Sequence, residues 1–219
     1  MRHNVFFRAT ILLVLFVLSG SPQAAATAPG ADPAINRAYL DADYQRWVSR
    51  FERAGREVYD RRQDIVEAVR PEKGMTIADI GAGTGLFTRL FASRVGPQGR
   101  VVAVDISAEF IENILRGTRQ QGLDNVQGVV NSQQSTGLPS ASVDLAFVCD
   151  TYHHFEQPRA MLRSIHQALR PGGELVIIDF RRTPGISGPW IMGHVRGDRE
   201  STVRDLEQAG IRLTYAPNL

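Results

Sequence analysis

The sequence predicts an α/β domain with a doubly wound, mostly parallel sheet and helices on both faces. Three observations carry this prediction. From Met75 onwards, short apolar segments alternate with amphipathic ones. The apolar segments are nearly continuous, which is typical of parallel strands covered on both faces. A glycine-rich turn follows the first of these strands, and Asp105 ends the next strand. The length of 219 residues fits one domain.

The N-terminal region is expected to contain helices and a leader rather than strands of the domain. Apolar residues at helical spacings predict helices over 34–53 and 56–69, and Pro71 ends the second. The predicted division is a signal peptide over 1–26, a linker and helical lid over 27–71, and the α/β domain over 72–219. The aromatic residues Tyr39, Tyr44, Trp47 and Phe51 are interpreted first as core residues, and contact with a ligand as part of the lid is their alternative role.

The first 26 residues have the pattern of a secretory signal peptide. Arg2, His3 and Arg8 precede an apolar stretch from Ala9 to Leu18, and the segment 24–26 offers an A-x-A cleavage site. The stretch is shorter than the ~20 residues that a membrane span needs. We therefore expect export, to the periplasm, with no stable membrane span after cleavage. An uncleaved leader that anchors the domain is the alternative.

Charge and cysteine content exclude several classes of protein. The formal charge is +2, and the leader contributes two arginines and no acid, so the remainder is neutral. No basic run is present, and a nucleic-acid partner is not expected. Cys149 is the only cysteine, which excludes an internal disulfide and cysteine-based metal centres.

The α/β alternation runs to the last residues of the sequence. Glycines and prolines over 184–193 predict a mobile substrate loop. A single strand follows the last helix. The predicted strands are 75–80, 100–104, 126–130, 143–149, 174–180 and 211–215, and the predicted helices are 86–95, 108–121, 157–169 and 199–209.

The glycine-rich turn and the acid indicate a nucleoside-binding site. Glycines at 81, 83 and 85 allow a ligand to approach the backbone closely. Asp105 follows about 20 residues later, the spacing of a carboxylate that accepts the hydroxyls of a ribose. A plain strand–helix turn, with Asp105 as a helix cap, is the alternative. Two features argue against a dinucleotide-dependent oxidoreductase. The third glycine comes one residue earlier than in the usual dinucleotide motif, and Tyr152 lacks the lysine four residues later that short-chain dehydrogenases pair with a catalytic tyrosine.

Four ordered segments resemble the motifs of class I S-adenosylmethionine-dependent methyltransferases, which have a Rossmann-like fold. The resemblance covers roughly residues 72–182. The sheet of this family normally ends with two antiparallel strands, so the resemblance implies that the C-terminal strand pair is incomplete here, through truncation or a different pairing. The segments are 75–91 (MTIADIGAGTGLFTRLF), 100–107 (RVVAVDIS), 138–139 with 142–155 (LP and SVDLAFVCDTYHHF), and 168–180 (ALRPGGELVIIDF).

The resemblance implies S-adenosyl-L-methionine as cofactor and a set of residues that hold it. Asp105 would bind the ribose hydroxyls and Ile106 the adenine, and Asp150 would lie beside the sulfonium. The family often has an acid after the third strand, where this chain has amides and a serine, so these would substitute for it. The remaining implied cofactor residues are Asp79, Gly81, Ala82, Gly83, Thr84, Gly85, Asn131, Ser132 and Gln133.

Three residues after the fourth strand are candidates for chemistry on the acceptor. Tyr152, His153 and His154 lie where the acceptor is expected, and histidine is the usual general base near neutral pH. Packing and loop ordering are the alternative roles. Adjacent histidines are expected to point in divergent directions, so no metal site is predicted. Arg181, Arg182, His194 and Arg196 are candidates for attracting an anionic acceptor.

The expected function is methyl transfer from S-adenosylmethionine to a small-molecule acceptor. The alternatives are a catalytically silent nucleoside-binding module and, third, an NAD-dependent oxidoreductase. Export conflicts with a cytosolic cofactor. Either the cofactor reaches the periplasm, or the leader is retained with the domain inside, or the domain only binds ligand. The acceptor and the oligomeric state stay open.

Overall fold

A computed structural model describes residues 11–18, 29–40 and 43–215. Within these ranges the fold is one seven-stranded sheet flanked by helices. The strands are β1 (Ile11–Leu18), β2 (Thr76–Ile80), β3 (Arg100–Asp105), β4 (Val126–Val130), β5 (Val143–Cys149), β6 (Leu169–Phe180) and β7 (Ile211–Tyr215). Their order across the sheet is β4-β3-β2-β5-β6-β1-β7.

Strands β2 to β6 are parallel and carry the predicted fold. Ile80 pairs with Val104 on one side and with Val148 on the other, so these three strands end at the same edge of the sheet. β3 and β4 lie on one side of β2, whereas β5 and β6 lie on the other, so the order in which strands are added to the sheet reverses at β2. In open parallel sheets ligands bind at such a point, beyond the carboxyl ends of the strands.

Nine α-helices lie in the described part of the chain and cover the parallel strands. Several begin at side-chain caps: Ser107 Oγ accepts from the Phe110 N–H at the start of α6, and Asp198 Oδ1 from the Ser201 N–H at the start of α9. The helices are α1 (Arg37–Leu40), α2 (Tyr44–Phe51), α3 (Glu57–Asp60), α4 (Arg62–Val69), α5 (Leu86–Val95), α6 (Ala108–Gln120), α7 (Pro158–Ala168), α8 (Pro189–His194) and α9 (Arg199–Gln208).

The core has two main layers, one on each face of the sheet. On one face, Phe147 of β5 packs against Phe87 and Phe91 of α5, with ring centroids 4.9 Å from each. On the other face, Leu162 of α7 and Leu206 of α9 are fully buried in one apolar cluster. Both layers hold the strand ends rigidly and so fix the positions of the turns that follow them.

Most strands and helices after Met75 agree with the sequence within two residues, whereas four segments of the chain differ. The helix expected over 56–69 is two helices, α3 and α4, because Arg61 between them has a non-helical backbone with φ −95° and ψ 10°. The single helix expected over 34–53 consists of a 3₁₀ helix (Pro33–Asn36), α1 and α2, with residues 41–42 outside the described ranges. β6 begins at Leu169 rather than Glu174, because Leu169 pairs with Val143 ahead of a register shift. The expected loop over 184–193 contains α8, with Pro189 in its first turn.

The position between β6 and β7 is filled by β1, which is antiparallel to both. The sequence analysis leaves this position without a strand and assigns residues 11–18 to the leader. The proposed cleavage site at 24–26 lies outside the described residues. Among the described helices, none combines the length and the apolar character that crossing a bilayer requires.

Candidate functional site

A cavity of about 360 Å³ opens at the carboxyl ends of β2, β3, β5 and β6. This volume is within the range of small-molecule sites, about 300–1,000 Å³. Ten of the twelve predicted cofactor residues line it, and Gly85 and Ser132 do not. His153 and His154 also line the cavity, whereas Tyr152 does not. The lining set of predicted cofactor residues is Asp79, Gly81, Ala82, Gly83, Thr84, Asp105, Ile106, Asn131, Gln133 and Asp150.

The glycine turn between β2 and α5 forms the floor of the cavity. Gly81 has a φ of 74°, and a Cβ there would lie 2.2 Å from Thr151 Cγ2, so no larger residue fits without displacing Thr151. Gly83 has a φ of 54°, and the nearest atom to a Cβ there would be in Phe51 at 3.8 Å. The backbone at Gly83 is therefore accessible to a ligand. Gly85 instead packs under the turn, where a Cβ would lie 2.7 Å from Ile114 Cγ1.

Asp105 is buried at the end of β3 and points back to the turn. Its side chain accepts two backbone hydrogen bonds, from Gly83 N–H to Oδ2 at 2.8 Å and from Ser107 N–H to Oδ1 at 2.9 Å. The residue is only 6% exposed. Burial raises the pKa of Asp105 to about 6, against the opposing effect of the backbone N–H groups. Ser107, not Asp105, is the cap of α6.

Asp79 supports the turn from below. Thr88 Oγ1 of α5 donates to Asp79 Oδ2 at 2.5 Å, and both side chains are buried. Burial raises the pKa of Asp79 to about 6. The hydrogen bond ties β2 to α5 directly beneath the glycine turn, so Asp79 combines a structural contact with a place in the cavity wall.

The segment after β4, which is the third strand of the predicted α/β domain, contains amides where the resemblance implies an acid. Asn131 and Gln133 follow β4 and line the cavity with Ile106. Asn131 Nδ2 donates to the Ser132 carbonyl oxygen at 2.8 Å, which leaves its side-chain oxygen as an acceptor toward a ligand. Ser132 is exposed and does not line the cavity.

The N-terminal helices contribute residues to the wall of the cavity. Tyr39 and Phe51 line it, while Trp47 is buried between them with ring centroids at 4.6 and 4.9 Å. Tyr44 Oη donates to the Thr84 carbonyl oxygen at 3.0 Å, and Arg89 pairs with Glu52 at 2.7 Å. The lid is thus bonded to the glycine turn and to α5.

An ion pair that the sequence analysis missed connects the lid to β5. Arg56 Nη2 donates to Asp150 Oδ2, and both residues line the cavity. Burial raises the pKa of Asp150, while Arg56 acts in the opposite direction. Among the nearby arginines, Arg62 of α4 lies over the ring of Tyr59, 4.2 Å from its centroid.

His153 is held by the acid at the end of β6. Its Nδ1 lies 2.7 Å from Asp179 Oδ1, and its backbone N–H donates to Asp179 Oδ2 at 3.0 Å. The side chain is 2% exposed. Burial by itself lowers the pKa of His153, but the Asp179 carboxylate outweighs burial and the net pKa is raised. Asp179 has a lowered pKa, because His153 outweighs the effect of burial there.

His154 is held by Asn36 of the N-terminal 3₁₀ helix. Asn36 Nδ2 donates to the His154 carbonyl oxygen at 3.0 Å and to Glu156 Oε1 at 2.8 Å, and these two acceptors fix the orientation of the amide. Asn36 Oδ1 therefore faces His154 Nδ1, at 3.0 Å. Burial, followed by the neighbouring His153 and His194, lowers the pKa of His154 to about 3.

The expectation that the two adjacent histidines diverge is wrong for their rings. The ring centroids of His153 and His154 lie 4.3 Å apart. The separate acceptors Asp179 and Asn36 hold the rings together on the cavity side of a short 3₁₀ helix, Tyr152–His154.

An aromatic wall closes the cavity beside the histidines. It consists of Phe180, Trp190 and His194, with Trp190 stacked on His194 at 4.6 Å and edge-on to Phe180 at 5.3 Å. Trp190 is 55% exposed, which is unusual for so large an apolar side chain. The sequence analysis lists His194 only as a possible cation near an anionic acceptor, and it gives no role to Trp190.

Tyr152 and Cys149 are packed differently from the histidines. Tyr152 is buried, its hydroxyl donates to Asp205 Oδ2 at 2.7 Å, and Arg196 lies over its ring. The side chain points to α9 and away from the cavity that the histidines line. Cys149 lines the cavity, and burial raises the pKa of its thiol well above the ordinary value. A protonated thiol of this kind is a poor nucleophile.

Comparison with known proteins agrees with this geometry. Residues 78–177 match a family described as a methyltransferase domain. The ubiquinone/menaquinone biosynthesis C-methyltransferase UbiE of Ectopseudomonas mendocina is 34% identical over 125 residues, which cover 55% of this chain and 46% of that protein. The demethylmenaquinone methyltransferase of Listeria monocytogenes is 25% identical over 127 residues, with 58% and 53% covered. The chain spans about half the length of these relatives.

Solved structures extend the similarity to most of the chain. A SAM-dependent methyltransferase from Aquifex aeolicus has a TM-score of 0.69 and 25% identity, covering 80% of this chain and 92% of the other. The [4+2]-cyclase SpnF has a TM-score of 0.66 and 21% identity, covering 86% of this chain and 75% of the other. The second similarity concerns the fold alone.

Proposed function

Because the chain belongs to the class I S-adenosylmethionine-dependent methyltransferases, we propose that it transfers a methyl group to a small, planar aromatic acceptor bound against the wall of Phe180, Trp190 and His194. One observation carries the proposal. A glycine turn and a buried carboxylate, which suit a nucleoside, share one cavity with two oriented histidines and an exposed tryptophan.

The residues present fit S-adenosylmethionine, which supplies an electrophilic methyl group on a sulfonium. Asp105 is a buried acceptor that two backbone N–H groups hold in place, as a ribose site requires. The open backbone at Gly83 leaves room for close approach. Ile106 provides an apolar contact for the adenine, and Asn131 and Gln133 provide amide oxygens for its amino group.

The chain's own contribution to the reaction is mainly to position the acceptor and exclude water. The sulfonium is already a good leaving group, so in-line orientation lowers most of the barrier. The lid residues Tyr39 and Phe51 cover the cofactor side of the cavity. Asp150 supplies negative charge near the sulfonium position, and Arg56 holds that carboxylate in place.

Two observations support the acceptor class, namely the aromatic wall of the cavity and the names of the relatives. Phe180 and Trp190 offer aromatic faces at the mouth of the cavity, and His153 and His154 offer ring nitrogens to a hydroxyl. One relative is named for ubiquinone and menaquinone biosynthesis, and another is named a demethylmenaquinone methyltransferase. A hydroxylated aromatic ring meets both requirements, because it stacks on Trp190 while its hydroxyl donates to a histidine.

We also propose export, on the basis of the leader pattern in residues 1–26. β1 lies within this segment, so its pairing with β6 and β7 would be present only in protein that keeps the leader. Fractionation of the source cells, followed by N-terminal sequencing, tests this proposal. A mature chain that begins near Thr27 supports cleaved export, and an intact Met1 in a cytosolic fraction contradicts it.

A silent binding module is the second candidate. The similarity to a cyclase with the same fold shows that this fold also serves reactions other than methyl transfer. Calorimetric titration with S-adenosylmethionine, S-adenosylhomocysteine and NAD separates the candidates. Binding of the first two, followed by acceptor-dependent release of S-adenosylhomocysteine with hydroxylated aromatic compounds, supports the enzyme. Binding without turnover favours the module, and binding of NAD alone contradicts the methyltransferase assignment. Asp105→Ala serves as the binding-deficient control.

A further inference from the structure

Three histidines from two separate elements meet at the acceptor end of the cavity. His153 and His154 belong to the 3₁₀ helix after β5, and His194 is the last residue of α8. The ring centroid of His194 lies 5.1 Å from that of His153 and 5.3 Å from that of His154. One nitrogen of each residue can be chosen so that the three lie within 4.8 Å of one another. Binding one ion would draw these nitrogens closer, because ligands at the Zn–N distance of about 2.0–2.1 Å lie about 3.4 Å apart in a tetrahedral site.

Hydrogen bonds fix which nitrogens of His153 and His154 are available. Asp179 Oδ1 is a carboxylate acceptor, so the proton of His153 lies on Nδ1. Asn36 Oδ1 is also an acceptor, so the proton of His154 lies on Nδ1 as well. In each neutral ring Nε2 therefore carries the free lone pair. Metal-binding histidines typically donate their second ring N–H to a carboxylate or carbonyl oxygen in this way.

We propose that His153, His154 and His194 bind one divalent transition metal ion of the Zn²⁺ type. Three neutral imidazoles with no thiolate suit Zn²⁺, and a site with three protein ligands keeps its fourth position open. That position would face the cavity, which all three residues line. With the metal in place, an acceptor hydroxyl would bind at that position instead of donating to a histidine nitrogen, and it would lose its proton more readily. The binding proposal itself does not depend on methyl transfer.

A second group in the same region is a weaker candidate. The ligand atoms of Asp150, His153 and Asp179 also lie within 4.8 Å of one another. Asp150 is already paired with Arg56, and Asp179 accepts hydrogen bonds from His153 and Phe180. These contacts make Asp179 the residue that orients His153, rather than a ligand in its own right.

Titration of the metal-stripped full-length protein with Zn²⁺, by calorimetry, tests the site without cofactor or acceptor. We expect one equivalent to bind, and we expect Co²⁺ at the same site to give the visible absorption bands of a tetrahedral ion. His194→Ala should weaken binding at least about tenfold. His166→Ala is the matched control, because His166 lies on α7 outside the cluster and should leave binding unchanged.

Positioning is tested with the residues that hold the rings. Asn36→Ala and Asp179→Asn should each weaken Zn²⁺ binding about 10–100-fold, the usual effect of losing an outer hydrogen-bond partner. Thermal unfolding and circular dichroism of the metal-free variants identify any that fail to fold. The half-buried His194 lies outside the two core layers, so His194→Ala keeps the test decisive. Absence of Zn²⁺ binding in the parent protein, or unchanged binding in folded His194→Ala, would overturn the proposal.

Discussion

The Gly83 N–H donates to Asp105 Oδ2 over 2.8 Å and so joins the turn after β2 to the end of β3. This bond crosses 22 residues of sequence and two adjacent parallel strands. It places the most accessible glycine of the turn beside the buried carboxylate. The proposed nucleoside site is thus built from a turn and a strand end that are bonded to each other, and the predictions for it follow from this pair.

Asp105→Ala should weaken binding of S-adenosylmethionine by about 1.5–3 kcal/mol, as expected for loss of a charged hydrogen-bonding group. The fold should persist, because the residue lies at a strand end. Isothermal titration calorimetry measures the effect. Asp124→Ala is the matched control, since Asp124 is an exposed aspartate away from the cavity. Equal affinity of the two variants would contradict the ribose assignment.

Cofactor affinity should fall as the pH drops below about 6. The pKa of Asp105 in the free protein is raised to about 6, so the residue is a carboxylate above this pH and is progressively protonated below it. A ribose hydroxyl donates better to the carboxylate, so binding is strongest above pH 6. The loss should approach about tenfold for each further pH unit.

Asp79 also has a pKa of about 6, so the pH experiment needs a reference. Asp105→Asn removes one titration and keeps the other. The difference between the parent protein and this variant, measured by calorimetry from pH 5 to pH 8, isolates the contribution of Asp105. Parallel pH profiles for the two proteins would show that Asp105 does not contact the cofactor.

Gly81→Ala should destabilise the fold and weaken cofactor binding together. The φ of 74° alone costs an alanine about 1–3 kcal/mol, and its Cβ would also clash with Thr151. Gly117→Ala is the control, because Gly117 lies within α6 with open space around it, and alanine there should stabilise by about 0.5–1 kcal/mol. Urea unfolding compares the two. A Gly81→Ala protein as stable as the parent would refute the tight approach to Thr151.

Tyr152→Phe should cost stability without affecting the active cavity. The lost hydrogen bond to Asp205 is worth about 1.5 kcal/mol, the low end for bonds to charged groups, because Arg196 still pairs with Asp205 at 2.9 Å. Urea unfolding and cofactor titration measure the two quantities separately. A large loss of turnover at unchanged stability would contradict this prediction and indicate that Tyr152 contacts the acceptor.

The parallel sheet and the cofactor cradle could be predicted because their signals are local. Strands β4, β5 and β7 begin and end at the predicted residues, since each is a short apolar run bounded by turn residues. The proposed cofactor site depends on the glycine turn after β2 and on Asp105 about 20 residues later, both of which are visible in the sequence. The twelve-residue β6 was harder, because Pro171 and two glycines in its first half are typical of turns.

The acceptor side could not be predicted, because it is assembled from distant segments. Asn36 contacts His154 across 118 residues, and Arg56 reaches Asp150 across 94. Neither pair leaves a periodic or spacing signal. The side of the chain to which Tyr152 points depends on the 3₁₀ helix, in which successive residues are rotated by about 120°. Only the structure separates Tyr152 from the two histidines that follow it.

The N-terminal segment is a structural part of the site as well as its cover. The Ala31 N–H donates to the Phe155 carbonyl oxygen at 3.0 Å. Asn36, in the 3₁₀ helix Pro33–Asn36, donates from Nδ2 to the neighbouring His154 carbonyl oxygen. A protein trimmed to the stretch that matches the methyltransferase-domain family would keep Asp105 and lose Asn36, Phe51 and Arg56. Domain-swap engineering of this protein should therefore move that stretch together with its N-terminal and C-terminal flanks, since the cavity takes wall residues from all three parts of the chain.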